Sequence, residues 1–304
     1  MNRSLFRELW DKVFRAGNPL FLFIGLNCLV FILLNLAGLF VYLRILPAAL
    51  PTWLIAQFQL PAYLPALAWK PWTLVSYMFA QISFFHLLFN MLWLYWMGRI
   101  FLDFLSRKQF VFVYLAGGLA GAFIYLLSYA LIPVFSEQIT AHVLIGSSAS
   151  VSAVIFATAT LLPDYSIRML FLGNVKLKYL ALAFLVLDLL GVGGSNAGGS
   201  LAHIGGAFLG YLYIRQLRSG RDWSKIFKRK RRSKLKVVKN PRSFHDKSSD
   251  ADNVQSNKRK KTSSDEMPNQ MLIDQILDKI SKSGYDSLSK KEKEALFKAS
   301  NQKN

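Results

Sequence analysis

A chain of 304 residues that is 53% hydrophobic, with a mean hydropathy of +0.30, is too apolar for a pair of soluble domains. Residues 1–214 hold 12 of the 37 Lys and Arg and 6 of the 17 acids, a net of +6, whereas residues 215–304 carry the other 25 and 11, a net of +14. That pattern describes an integral membrane body with a basic tail, and the single cysteine, Cys28, excludes a disulfide framework, a Cys-rich zinc site and a thiol pair.

Residues 1–17, with Arg3, Arg7, Lys12 and Arg15, read as a cytoplasmic N-terminal segment. The apolar run from Leu20 to about Val41 lacks a following small-residue cleavage site and reads as a retained first span. Residues 45–83 are rich in proline (Pro47, Pro51, Pro61, Pro65, Pro71) and aromatics (Trp53, Phe58, Tyr63, Trp69, Trp72, Tyr77), which suits a structured loop resting at the membrane interface. Further apolar stretches lie near 84–105, 110–133, 147–163, 178–194 and 199–217. The expectation is an all-α polytopic membrane protein with six spans over residues 18–218. Basic flanks at Arg107 and Lys108, at Arg168, Lys176 and Lys178, and at Arg218 and Arg221 then join the N-terminus on one side, so both termini are expected in the cytoplasm. The connection Gly193–Ser200 (GGSNAGGS) is uncharged and glycine-rich, and is expected to be mobile.

Residues 219–268 contain the polybasic runs KIFKRKRRSKLK (225–236) and KRKK (258–261), and read as a disordered linker. Its juxtamembrane place favours anionic lipid as the partner; nucleic acid is not expected. Residues 269–304 read as a small helical unit. Leu272, Ile273, Ile276, Leu277 and Ile280 recur at helical spacing, Gly284 breaks the run, and Ser289 with Glu292 forms a capping box for a second short helix.

Polar side chains inside lipid are costly, and here they are few: His86, Asn90, the serines of GSSASVS (146–152), Asp188 and His203. Ser148 stands about fifteen residues before Pro163-Asp164, roughly 22 Å along a helix axis. His203 stands roughly 18–22 Å above the basic boundary at Arg215 and Arg218, so the two share a depth, with His86 slightly above. A serine hydroxyl becomes a good nucleophile when a neutral imidazole takes its proton. Ser148 as nucleophile with His203 as base is the minimal pair. Gly146 lets the chain turn into the fourth span, whose first free amides face a developing oxyanion. His86 and Asn90, four residues apart on one helix face, can add donors. Small residues (Ala149, Ala153 and Ala157; Ala202, Gly206 and Gly210) allow the fourth and sixth spans to approach closely, and Gly117, Gly118 and Gly121 are further packing positions. No acidic third member is visible beside Ser148 or His203, so the expectation is a dyad without metal or cofactor. Asp188 reads as a carboxyl bonded near the outer interface, and Ser147 and Ser150 as hydroxyls bonded back to their own helix. A transporter built on Asp188 and His86 is the weaker reading, since no charged path continues to the cytoplasmic side.

FFHLLFNMLWLYWMGRIF (84–101), GSSAS (146–150) and AHIGGAFLGY (202–211) resemble, in order and spacing, the signature segments of rhomboid intramembrane serine proteases. The resemblance covers about residues 18–218. It implies a six-helix core that cleaves transmembrane segments of other membrane proteins, with Ser148 as nucleophile, His203 as general base, and His86, Asn90 and the Ser148 amide on the oxyanion side. It further implies a multi-pass protein of a bacterial cytoplasmic membrane. The motif departs from the family in three places: Ala149 follows the nucleophile where glycine is usual, Ser152 replaces an aromatic one turn later, and Gln81 stands where histidine is frequent. Pro71-Trp72 resembles a loop anchor. A catalytically inactive rhomboid-like adaptor that binds transmembrane helices is the alternative.

Overall fold

The computed structural model describes residues 5–15, 17–137, 139–169, 173–194, 196–226 and 270–300. The polybasic stretch over 227–269, read above as a linker, lies outside the described residues. The protein is mostly helical and divides into two units, Met1–Arg232 and Ser233–Asn304.

The first long helix, α1 (Pro19–Tyr42), starts where Asn18 Oδ1 accepts from the Leu20 amide at 3.0 Å and Pro19 supplies a first-turn residue that needs no donor. Leu20, Phe23, Asn27 and Leu34 form its inward stripe, while Leu29, Ile32, Leu33 and Leu36 point away from the protein. Phe23 stacks on Tyr114 with 4.3 Å between ring centres, which fixes α1 against the bundle.

The first connection is structured, as its prolines and aromatics predict. It runs through a helix (Ala49–Phe58), the two-residue strand β1 (Leu60–Pro61), a helix (Leu64–Trp69) and a short turn (Thr73–Phe79). Trp72 Nε1 donates to Gln57 O at 3.0 Å, so the Pro71-Trp72 step does anchor the loop to itself. The connection turns through 90° into α2 (Phe84–Phe104). Next come α3 (Arg107–Leu131), opened by a Ser106–Gln109 capping box, then β2 (Val143–Leu144) and α4 (Ser148–Leu161). β2 pairs antiparallel with β1, Leu60 opposite Leu144, and this joins the loop to the segment that enters α4. A hairpin of β3 (Ser166–Met169) and β4 (Gly173–Lys176) leads to α5 (Leu177–Gly191), followed by α6 (Ala197–Arg218).

Helices thus stand at all six expected places. By length and composition, α1 and α3 can each cross a membrane, and Thr73–Phe79 with α2 makes a third span if the bent pair counts as one. At 14 residues α4 is about 21 Å long, short of the roughly 30 Å of a hydrocarbon core.

The centre of the bundle is α4, enclosed by α3 and α6 through small residues. A Cβ on Gly121 would lie 2.6 Å from Ala149 Cβ and 2.7 Å from Ala202 O, and one on Gly206 or Gly210 would strike the backbone of Ala149 or Ala153. These glycines bring helix backbones into direct contact. At the far end of α4, Arg218 Nη2 donates to Thr160 O at 2.9 Å and Leu161 O at 3.1 Å, covering carbonyls that the helix leaves free. Asp164 receives Lys178 Nζ at 2.8 Å and Lys176 Nζ at 3.1 Å, and these bonds hold its carboxyl below the ordinary range.

The second unit follows the sequence reading closely. α7 (Gln270–Ser283) ends at Gly284, whose φ is +78°, and α8 (Lys290–Ser300) opens with Ser289 N bonded to Glu292 Oε2 at 2.7 Å and Glu292 N to Ser289 Oγ at 3.4 Å. Ile276 and Leu288 are buried between the helices, and Lys279 Nζ meets Glu292 Oε1 at 3.0 Å.

Candidate active site

Ser148 is the first residue of α4. The turn that presents it depends on Gly146, whose φ of +129° disfavours any side chain and whose amide donates to Tyr77 O at 3.0 Å. The space a Cβ would take is filled by the His86 ring, since that atom would lie 2.8 Å from His86 Cε1. The structure therefore brings His86, the third residue of α2, directly against the Gly146–Ser148 turn.

His203 lies on α6, and its depth follows from two contacts. Arg218 of α6 is level with Leu161 at the end of α4, and Gly206 is level with Ala149. His203 is one turn before Gly206, so it stands within about one turn, roughly 5 Å, of the height of Ser148. The depth arithmetic from sequence agrees. Ser148 and His203 are half-buried and His86 is exposed, so the cluster opens at the end of the bundle where α4 begins. Among the described residues Ser148 Oγ has no hydrogen-bond partner. The nucleophile–base bond of the expected pair is thus unmade in this state, as is common before substrate binds.

Asn90 is one turn below His86 and buried. Its Nδ2 donates to Gln81 Oε1 at 2.9 Å; Gln81 Nε2 donates to Asn27 Oδ1 at 3.0 Å and to Ser147 Oγ at 3.1 Å. Asn27 Nδ2 reaches Tyr114 Oη at 3.2 Å, and Tyr114 donates to Met78 O at 3.0 Å. A chain of amides and hydroxyls therefore ties α1, α2 and α3 to the residue preceding Ser148. One Nδ2 hydrogen of Asn90 remains for a ligand.

Three expectations change. The sequence showed no acidic partner for the base, yet Asp188 Oδ1 lies 2.7 Å from His203 Nδ1, both side chains being largely buried (14% and 23% exposed). The pair bridges α5 and α6. Ser147 is not bonded back to its own helix but belongs to the Gln81 network. Ser150 Oγ is buried without a partner, packed towards Gly118, where a Cβ would lie 2.6 Å from it. Thr158 and Thr160 do make the helix back-bonds, to Val154 O at 2.7 Å and Phe156 O at 2.6 Å. The signal for Asp188 was present in sequence, since a lone carboxyl in an apolar helix needs a partner.

Against known proteins, the profile of the Rhomboid domain matches residues 68–219, which include His86, Asn90, Ser148, Asp188 and His203. Residues 257–302 match a family of unknown function, DUF6576. A curated relative, "RHOMBOID-like protein 12, mitochondrial" of Arabidopsis thaliana, is 28% identical over 159 residues, 49% of this chain, and the chain spans 47% of that protein. The Rhomboid match takes in half of the sequence, the three signature segments fall inside it, and two apolar helices are long enough to span a bilayer, Arg107–Leu131 within the match and Pro19–Tyr42 before it: the chain is a membrane protein of the rhomboid family.

Proposed function

We propose that this protein is an intramembrane serine endopeptidase that cleaves transmembrane segments of other membrane proteins. The observation that carries the reading is the placement of His86 against the Gly146 turn, with Ser148 on the first turn of α4 and His203 at its level across a backbone-to-backbone contact. Ser148 Oγ attacks the peptide carbonyl carbon as its proton passes to His203 Nε2, and the carbonyl π pair moves onto oxygen. The resulting oxyanion is held by the Ser148 amide, His86 and Asn90. The imidazolium then gives its proton to the leaving nitrogen as the C–N bond breaks, and a water repeats the sequence to release the acyl group. Neither metal nor cofactor enters these steps. A helical substrate hides its carbonyls in its own hydrogen bonds, so weakly helical segments that reach the open end of the site are the preferred substrates.

A bacterial cytoplasmic membrane with both termini inside is the location this reading takes, and anionic lipid is the partner of the polybasic run that begins at Lys225. The alternative is an inactive adaptor that binds transmembrane helices. The test is cleavage of a reporter transmembrane segment in proteoliposomes, with fluorophosphonate labelling. Labelling and cleavage lost in Ser148→Ala support the protease; an inert wild type that still binds the segment supports the adaptor.

A further inference from the structure

We infer that Asp188 is the positioning residue for the base, so that Ser148, His203 and Asp188 act as a triad instead of a pair. The inference rests on the protease reading and adds to it what sets the state of the histidine.

A carboxylate only accepts hydrogen bonds. With Asp188 ionised, the 2.7 Å contact of its Oδ1 with His203 Nδ1 requires the hydrogen on Nδ1, and in the neutral ring Nε2 is then the bare nitrogen. That is the tautomer a base needs. The contact also stops rotation of the imidazole about its Cβ–Cγ bond, and Ser152, one turn beyond Ser148, has no ring that could hold the imidazole by stacking. When Nε2 takes the Ser148 proton, the ring becomes cationic 2.7 Å from the carboxylate, which stabilises the charge without itself taking a proton. Position supports the role. The side chains of Asp188 and His203 are 14% and 23% exposed, so little solvent competes for the bond, and Asp188 has no other partner among the described residues. α5 is otherwise lightly held: its buried residues, Leu177, Leu180 and Ala181, all lie in its first turns, whereas Asp188 stands near its other end. There Asp188 meets the one residue whose second nitrogen serves the nucleophile.

The test uses full-length protein in proteoliposomes. Asp188→Asn is isosteric, but its amide can donate to Nδ1 and drive the hydrogen onto Nε2, where it blocks the base. The expected result is a fall in kcat on the order of 10⁴, the loss seen for the equivalent change in serine-protease triads, with KM changed by no more than about twofold. Asp188→Glu restores part of the rate. Nitrogen-15 shifts of His203 should show Nδ1–H in the wild type and Nε2–H in Asp188→Asn, a readout that mere fastening of α5 would not move. Wild-type kcat in Asp188→Asn overturns the inference, as does an Nε2–H ring in the wild type. The tautomer measurement needs no turnover, so it judges the pairing even if Asp188→Asn unfolds. Absence of wild-type labelling and cleavage counts against the protease reading instead.

Discussion

Asn90 Nδ2 donates to Gln81 Oε1 across 2.9 Å, and Gln81 is wholly buried. Gln81 also supplies the hydrogens received by Asn27 and Ser147. Replacing it with alanine strands three groups away from water. Each stranded group costs about 1–3 kcal/mol, and because relaxation is shared the expected loss for Gln81→Ala is on the order of 2–4 kcal/mol. Thermal unfolding in detergent or steric trapping in bicelles measures it. A melting temperature equal to wild type would mean that the network contributes no net stability.

Four serines crowd the entrance to α4, and the structure separates them. Ser147 is buried and bonded to Gln81, Ser150 is buried against α3, and Ser152 lies one turn deeper in α4. Ser148→Ala alone should abolish fluorophosphonate labelling and cleavage, while the Ser147, Ser150 and Ser152 alanine variants keep measurable activity. Labelling that persists in Ser148→Ala but vanishes in Ser152→Ala would move the nucleophile one turn down the helix.

On the proposed protease reading, the oxyanion donors should show graded effects. His86→Ala and Asn90→Ala each remove one of several donors and are expected to lower kcat on the order of 10²–10³. Gly146→Ala acts differently: its methyl lands 2.8 Å from His86 Cε1, at a φ of +129° that costs about 1–3 kcal/mol for a residue with a side chain. It should therefore lose both activity and stability, whereas His86→Ala, at an exposed position, loses mainly rate. Paired kinetic and melting measurements distinguish the two patterns; equal melting losses for both variants would contradict the assignment.

The tail unit should be acid-sensitive. Bonds from the Ser289 amide and Lys279 pull the Glu292 carboxyl down from 4.5 to about 2. A carboxyl depressed on folding contributes its full stability above its unfolded value and loses it as pH falls through its folded value. Amide protection in residues 270–300 should accordingly be constant above about pH 5 and decline between about pH 4.5 and 2. Glu292→Gln should flatten that decline. Identical pH profiles for Glu292→Gln and wild type, followed by NMR hydrogen exchange on the full chain, would contradict it.

Much of this was legible in the sequence because it depends on local spacing. Ser148 and His203 could be levelled from helix rise alone, and Gly284 with the Ser289–Glu292 box set the tail helices without any tertiary information. Asp188 was different. It is fifteen residues from His203 across a glycine-rich turn, and whether their side chains meet depends on how α5 leans on α6, an angle that neither helix encodes by itself. The Gln81 network was hidden for the same reason, since it joins residues from α1, the first connection, α2 and the entrance to α4. Span number also resists reading from apolar runs: α4 packs inside the bundle with small residues and has no need of the length a lipid-facing helix requires.

Gly117, Gly121, Gly206 and Gly210 set the distance between α3, α4 and α6 through alanine methyls and backbone atoms. Every replacement of a glycine by another residue adds at least one heavy atom, so a substitution at any of these four positions disturbs that spacing. The nearest genetic neighbours of this protein are closed off there. Change remains open along α5, where Leu182, Val186, Leu187, Leu189 and Leu190 face outward. On the proposed protease reading, variation in substrate choice has its room on the outward surface of α5, while the glycine contacts keep Ser148 and His203 to one geometry.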